Sequence, residues 1–158
     1  MRNKLLLSIL ASSLLLSSAA CNSTPSVTEV KVEKVAESIP QPGGFSNINN
    51  AKLKELIDSG VTLVDIRLEE EWLQTGIVEG SKTITLFTRA GVNPNFQAEF
   101  TAVTDPSKPV ALICRTGNRT SNASKMIAQQ LGYKNVLNVT HGITGWIAEK
   151  RPVVSYKK

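Results

Sequence analysis

Three short apolar runs, "VTLVDI" at 61–66, "KPVALIC" at 108–114 and "NVLNV" at 135–139, alternate along the chain with segments of helical period. That alternation most constrains the fold. Runs this short and this apolar suit strands covered on both faces. Between them, "AKLKELIDSG" at 51–60 puts Leu53, Leu56 and Ile57 on one face, with Asn49 or Asn50 to cap it and Gly60 to stop it. A longer helix is expected from a Thr120 or Ser121 cap, with Ala123, Met126, Ile127 and Leu131 as its apolar stripe before Gly132. Shorter helices are expected over "EEEWLQTG", "NPNFQAEFTAV" and "GITGWIAEK", and short strands over "KTITL" at 82–86 and "PVV" at 152–154. Strands alternating with helices predict an α/β fold, a central parallel sheet flanked by helices on both faces.

The amino end reads differently. Arg2 and Lys4 precede a leucine-rich stretch from Leu5 to Leu16, then Ser17, Ser18, Ala19 and Ala20, then Cys21. A basic start, an apolar middle and small residues before a cleavage point make residues 1–20 a secretory signal peptide. The apolar stretch is short for a spanning helix, which needs roughly 20 apolar residues. "SSAAC" resembles the lipobox of bacterial lipoproteins, although Ser18 stands where leucine is usual. The resemblance implies that Cys21 is lipidated and anchors the chain in a membrane. Asn22 rather than Asp after the cysteine then implies the outer membrane, facing the periplasm, in a Gram-negative host; a Gram-positive host implies the cell-membrane surface. Residues 21–44 are polar, rich in Ser, Thr, Val and Pro, and are expected as a flexible tether. The folded domain is expected over 45–158. The chain has 158 residues, 18 of them basic and 13 acidic, for a net charge of +5. No basic run interleaved with aromatics accompanies that charge, so no nucleic-acid partner is expected.

The chemistry concentrates at "ICRTGNRTS", 113–121. Cys114 ends the clearest strand and leads into a glycine-containing turn and a helix. In sheets of this kind ligands sit beyond the carboxyl ends of strands, near helix amino termini. The amides of Arg115, Thr116, Gly117, Asn118, Arg119 and Thr120 are placed to curl toward the sulfur, Gly117 permits the positive φ such a loop needs, and two arginines add positive charge. Such a surround favours a thiolate nucleophile and binds an incoming oxyanion. With Cys21 lipidated, Cys114 is the sole free thiol of an exported chain with two cysteines. The bland alternative, a buried strand-end cysteine beside two solvated arginines, accounts for neither the glycine nor the spacing.

"CRTGNRT" looks like the active-site loop of the rhodanese family of sulfurtransferases. "LVDIR" at 63–67 resembles the family's first strand, "EEEWLQTGIVEGS" the segment it often writes with Gly-His-Ile-Pro-Gly-Ala, and "GITGW" at 142–146 its late Gly-Gly-x-x-Gly-Trp segment. The resemblance spans roughly residues 45–155. It implies a rhodanese-like fold and transfer of sulfane sulfur from a donor such as thiosulfate, through a Cys114 persulfide, to cyanide or a thiol. Loop residues 115–120 would bind substrate, or Arg119 would turn inward and brace the loop; Asp65 and Arg67 would brace, the carboxylate orienting a loop arginine, or form an ordinary strand-end ion pair. Four residues separate Cys114 from Arg119, the sulfurtransferase spacing; related dual-specificity phosphatases use a longer loop. A phosphatase or arsenate reductase of the superfamily and a non-catalytic binding module are the rival readings. Ile77 and Glu79 depart from the family's usual His and Pro. His141, the one histidine, reads as a surface or capping residue, Trp72 and Trp146 as core anchors, and the acids at 69–71 as a solvated helix start. No second thiol stands near to discharge a persulfide, so the acceptor comes from outside. No metal cluster or dinucleotide loop is present, and no cofactor is expected.

Overall fold

The computed structural model describes residues 38–158. The expected signal peptide, Cys21 and most of the expected tether lie outside the described residues.

Four parallel ladders and one antiparallel one build the main sheet. Strands β1 (Ile39–Gln41), β2 (Phe45–Ile48), β3 (Thr62–Asp65), β4 (Lys82–Thr83), β7 (Val110–Ile113) and β8 (Val136–Val139) lie in the order β1-β2-β8-β7-β3-β4. Only β1 runs antiparallel, against β2. A separate hairpin pairs β5 (Phe87–Thr88) with β6 (Gly91–Val92). Five helices join these strands: α1 (Asn50–Asp58), α2 (Glu69–Thr75), α3 (Phe96–Val103), α4 (Asn118–Gln130) and α5 (Gly142–Ala148).

Strand side chains alternate between two faces, and two cores follow. Val64, Val110, Leu112, Cys114 and Val136 pack with Phe96 and Phe100 of α3 and Ala123 and Ile127 of α4. Leu63, Ala111, Ile113, Leu137 and Val139 face the other way, toward Leu53 of α1 and Ile143 and Trp146 of α5. The central parallel sheet with helices on both faces is therefore as expected. Each fully buried Leu, Ile or Phe here contributes about 1.5–3 kcal/mol.

Helix α1 shows how local chemistry sets the bounds. Asn49 caps it, its side chain accepting from the Lys52 amide at 2.8 Å. Gly60, at φ +86°, closes the other end, with its own amide bonded to Ile57 O and that of Val61 to Leu56 O.

Several expectations need correction. The sheet begins at Ile39, inside the stretch expected as tether, because the turn at Gly43 and Gly44 folds β1 back onto β2. Helix α4 starts at Asn118 with Gly117 as its N-cap, so Thr120 and Ser121 sit in the first turn. Ladder pairing over "KTITL" is confined to Lys82 and Thr83. "PVV" forms a single bridge, Val154 to Ile77, with both amides bonded at 2.9 Å. Ile77 thus fastens the carboxyl-terminal segment through its backbone.

Candidate active site

Strand β7 delivers Cys114 to the carboxyl edge of the sheet, between its neighbours β3 and β8. The thiol is free and fully buried. Its partners come from the loop behind it. The Gly117 amide donates to Sγ at 3.2 Å, and the Thr120 hydroxyl lies 3.4 Å from Sγ. That hydroxyl is also 3.0 Å from Gly117 O. Its single proton has two acceptors, the carbonyl and the sulfur, so it can turn to the sulfur when the sulfur is charged.

The loop's carbonyls are taken elsewhere. The Ile143 amide donates to Cys114 O at 2.8 Å, and the Thr144 amide to Arg115 O at 3.1 Å. In a trans peptide the N–H points away from the C=O. The amides of Arg115 and Thr116 therefore face away from α5, and among the described residues neither has an acceptor. Two glycines make the close approach possible. Gly117 sits at φ +92°, and a Cβ there would lie 2.2 Å from Thr140 O. Gly142 sits at φ +54°, and a Cβ there would lie 2.4 Å from Cys114 O.

The two loop arginines differ. Arg119 forks onto Glu71, Nη1 to Oε2 at 2.7 Å and Nη2 to Oε1 at 2.6 Å. Glu71 Oε2 also accepts from the Leu68 amide at 3.1 Å. Burial would raise the Glu71 carboxyl, but the Arg119 hydrogen bond, the Leu68 amide and the charges of Arg119 and Arg67 outweigh it and hold it below its ordinary range. The Glu71 hydrogen bond raises Arg119 above its own range against the effect of burial, with the Glu71 charge and the neighbouring Cys114 adding to it. Arg115 is exposed and makes no ion pair or side-chain hydrogen bond among the described residues. Thr116 and Asn118 are also exposed, and their side chains make no hydrogen bond there either.

Asp65 and Arg67 are buried, at 0% and 1% exposure. Arg67 Nε bonds both Asp65 oxygens at 2.9 and 3.0 Å, and Nη2 bonds Oδ2 at 2.7 Å. The rest of the guanidinium ties down α2, with Nη1 donating to Thr75 Oγ1 at 2.7 Å and Nη2 to Gly76 O at 2.8 Å.

A thiol at a strand end, unpaired amides around it and an arginine held in the same loop frame one kind of site, and the profile of the Rhodanese-like domain matches residues 49–149. The chain belongs to the rhodanese family. YtwF of Bacillus subtilis, provisionally named a sulfurtransferase, is 35% identical over 110 residues, covering 68% of this chain and 96% of that protein. The crystal structure of a rhodanese-related protein from Thermoplasma volcanium superposes with a TM-score of 0.57 at 31% identity, covering 70% of this chain and 98% of that one. Rv0390 from M. tuberculosis gives a TM-score of 0.59 at 27% identity, covering 70% and 97%.

Within this rhodanese domain, the residues expected around Cys114 do gather there, with one exchange of partners. Asp65 does not orient a loop arginine; it is saturated by Arg67, two residues on, and the pair locks β3 to α2. The carboxylate that braces a loop arginine is Glu71, which the sequence places in an ordinary acidic helix start. A faint signal existed: a glutamate three residues after Leu68, at the position whose side chain reaches back to the first amide of a helix. His141 occupies the N-cap position of α5, exposed and without a side-chain cap bond. Trp146 is core, its Nε1 donating to Pro152 O at 2.8 Å, and Trp72 packs against Tyr156.

Proposed function

We propose that this rhodanese domain transfers sulfane sulfur through Cys114. The observation that carries the reading is the Gly117 amide aimed at Cys114 Sγ at 3.2 Å, in a loop whose Cys114 and Arg115 carbonyls are bonded by amides of α5. An environment of donors around sulfur suits an anion, first the thiolate and then the outer sulfur of a persulfide. In the first half-reaction the thiolate attacks the outer sulfur of thiosulfate. A Cys114–S bond to that sulfur forms, the donor's S–S bond breaks, and sulfite leaves with the electron pair. In the second, a nucleophile such as cyanide or a thiolate takes the outer sulfur and returns Cys114 as thiolate. Arg115, exposed and without an ion pair among the described residues, meets the anionic donor; Arg119, held by Glu71, keeps its charge beside the sulfur. The name carried by the Bacillus relative agrees with this reading, as does the spacing of four residues from Cys114 to Arg119.

Thiocyanate formation from thiosulfate and cyanide by the full chain tests it, with Cys114→Ala beside it. Turnover abolished by the substitution is the expected result; equal thiocyanate from both proteins, or no sulfur gained by Cys114 in intact mass, would overturn it. We further propose that the domain works outside the cytoplasm, held by acyl chains on Cys21. The basic start, the leucine-rich stretch and "SSAAC" support this placement. Labelled palmitate should enter the chain in cells and fail to enter Cys21→Ala; equal labelling of both would exclude it.

A further inference from the structure

The segment after α5, residues 152–158, has no task in the sulfur-transfer steps above, yet it bonds to both helices that brace the catalytic loop. At α5, Trp146 Nε1 donates to Pro152 O at 2.8 Å. The segment then crosses the end of α2, where Ile77 and Val154 exchange amide and carbonyl bonds, both at 2.9 Å. The approach is close: Gly76 sits at φ +76°, and a Cβ there would lie 2.7 Å from Val154 O. Beyond the bridge, the half-buried Tyr156 sets its ring against Trp72 of α2, with centroids 5.1 Å apart and planes at 52°.

Helix α2 has 7 residues, too few to hold its place by its own hydrogen bonds. Arg67 ties it along one side, through Glu71 O, Thr75 Oγ1 and Gly76 O. Ties along one line leave rotation about that line to side-chain packing. The side chain that α2 buries is Trp72, whose Nε1 has no hydrogen-bond partner among the described residues. No directional bond holds the indole, so its orientation rests on packing, and Tyr156 is the ring against it. Glu71 is the preceding residue, and its carboxylate grips Arg119 at 2.6 and 2.7 Å. Side-chain ends lie about 5–6 Å from a helix axis, so a rotation of about 10° moves that carboxylate about 1 Å. A shift of that size is enough to take the fork beyond hydrogen-bond reach, about 3.2 Å.

We propose that Tyr156 is a positioning residue for sulfur transfer: its ring, through Trp72, holds α2 at the angle at which Glu71 grips Arg119. The proposal rests on the sulfur-transfer reading, and it gives Tyr156 no contact with substrate or sulfur. The bonds at Pro152 O and Val154 deliver the ring to Trp72. One segment thereby registers two helices. On one side is α5, whose Ile143 and Thr144 amides hold the carbonyls of Cys114 and Arg115. On the other is α2, which fixes the loop arginine. The last contact, Lys158 to Glu69 at 3.3 Å, is between exposed side chains and adds little.

Thiocyanate formation by the full chain is compared among wild type, Tyr156→Ala, Tyr156→Phe, Glu71→Gln and the double variant Tyr156→Ala/Glu71→Gln. Each kcat is expressed per folded molecule, read by circular dichroism at the assay temperature. Tyr156→Ala should lower kcat about fivefold and change KM less than about twofold, because the fork is misaimed rather than removed. Tyr156→Phe keeps the ring and should restore kcat. With Glu71→Gln already in place no charged fork is left to aim, so adding Tyr156→Ala should cost less than about twofold. A merely structural Tyr156 would lower stability in both backgrounds and leave kcat per folded molecule alone. If Tyr156→Ala fails to fold, Tyr156→Leu, which keeps apolar cover without the ring, takes its place in the same comparison. An equal fold-loss in both backgrounds, or a wild-type kcat in the folded variant, overturns the proposal and leaves sulfur transfer standing. A wild type that forms no thiocyanate overturns both.

Discussion

Replacing Glu71 by glutamine separates the charge of the α2 brace from its shape. The Glu71 and Arg119 side chains are 21% and 29% exposed, between the regimes of surface and buried pairs. Exposed pairs contribute about 0–1 kcal/mol, and breaking a buried one costs about 3–5 kcal/mol. A bidentate pair at 2.6 and 2.7 Å in this middle ground should contribute about 1.5–2.5 kcal/mol. A double-mutant cycle over Glu71→Gln, Arg119→Gln and the double variant, followed by urea unfolding, reads that coupling directly. Kinetically, an Arg119 no longer fixed is free to leave the sulfur, so kcat for thiocyanate formation should fall about tenfold in Glu71→Gln with a smaller change in KM. The pH dependence has a definite sign. The folded carboxyl titrates below its ordinary value of 4.5, so the stability it adds is fully present above that value and is lost as pH falls through the folded one. Wild type should therefore lose stability on acidification below about pH 4.5, and Glu71→Gln should lose less over the same range. A coupling under about 0.3 kcal/mol, with kcat unchanged, would refute the claim that Glu71 positions Arg119.

Two further substitutions probe the frame. Asp65→Asn leaves the Arg67 guanidinium buried without its counter-charge and should cost about 3–5 kcal/mol in chemical denaturation, with α2 loosened before the sheet; a cost below about 1 kcal/mol would mean that water reaches the pair. Gly117→Ala sets a Cβ 2.2 Å from Thr140 O at φ +92°, so persulfide loading should be lost and the melting temperature lowered, and a loaded variant of normal stability would contradict the close approach.

How much of this was legible in the sequence depends on the range of the forces involved. β3, β7 and β8 are apolar runs whose burial on both faces follows from composition, and all three stand where the runs predict. Cys114 was legible because a strand end, a glycine and two arginines fall within six residues of one another. β2 was not, because "FSNI" has two polar residues at its centre and owes its strand state to the parallel ladder with β8, far along the chain. β1 contains Pro40, which suits an edge position and weakens any strand signal. Thr120 and Ser121 looked like caps because their side chains often are. Gly117 pre-empts them by entering the helix from a left-handed conformation, which frees Thr120 to face the sulfur. Of the two readings of Asp65 and Arg67, the strand-end ion pair is the one present, and Glu71 was missed because its partner lies 48 residues away.

The two glycine-marked motifs of this chain are one device. A donor-lined sulfur site requires that loop carbonyls, which would repel an anion, be turned away and satisfied elsewhere. The first amides of α5 do this for Cys114 O and Arg115 O at 2.8 and 3.1 Å. They reach those carbonyls only because Gly142 has no Cβ to strike them and Gly117 none to strike Thr140 O. Trp146, 2% exposed and bonded to Pro152 O, holds α5 in the core at the needed height. "GITGW" therefore acts on the chemistry without touching the sulfur: it fixes which way the peptides of "CRTGNRT" face, and with them the sign of the field at Cys114.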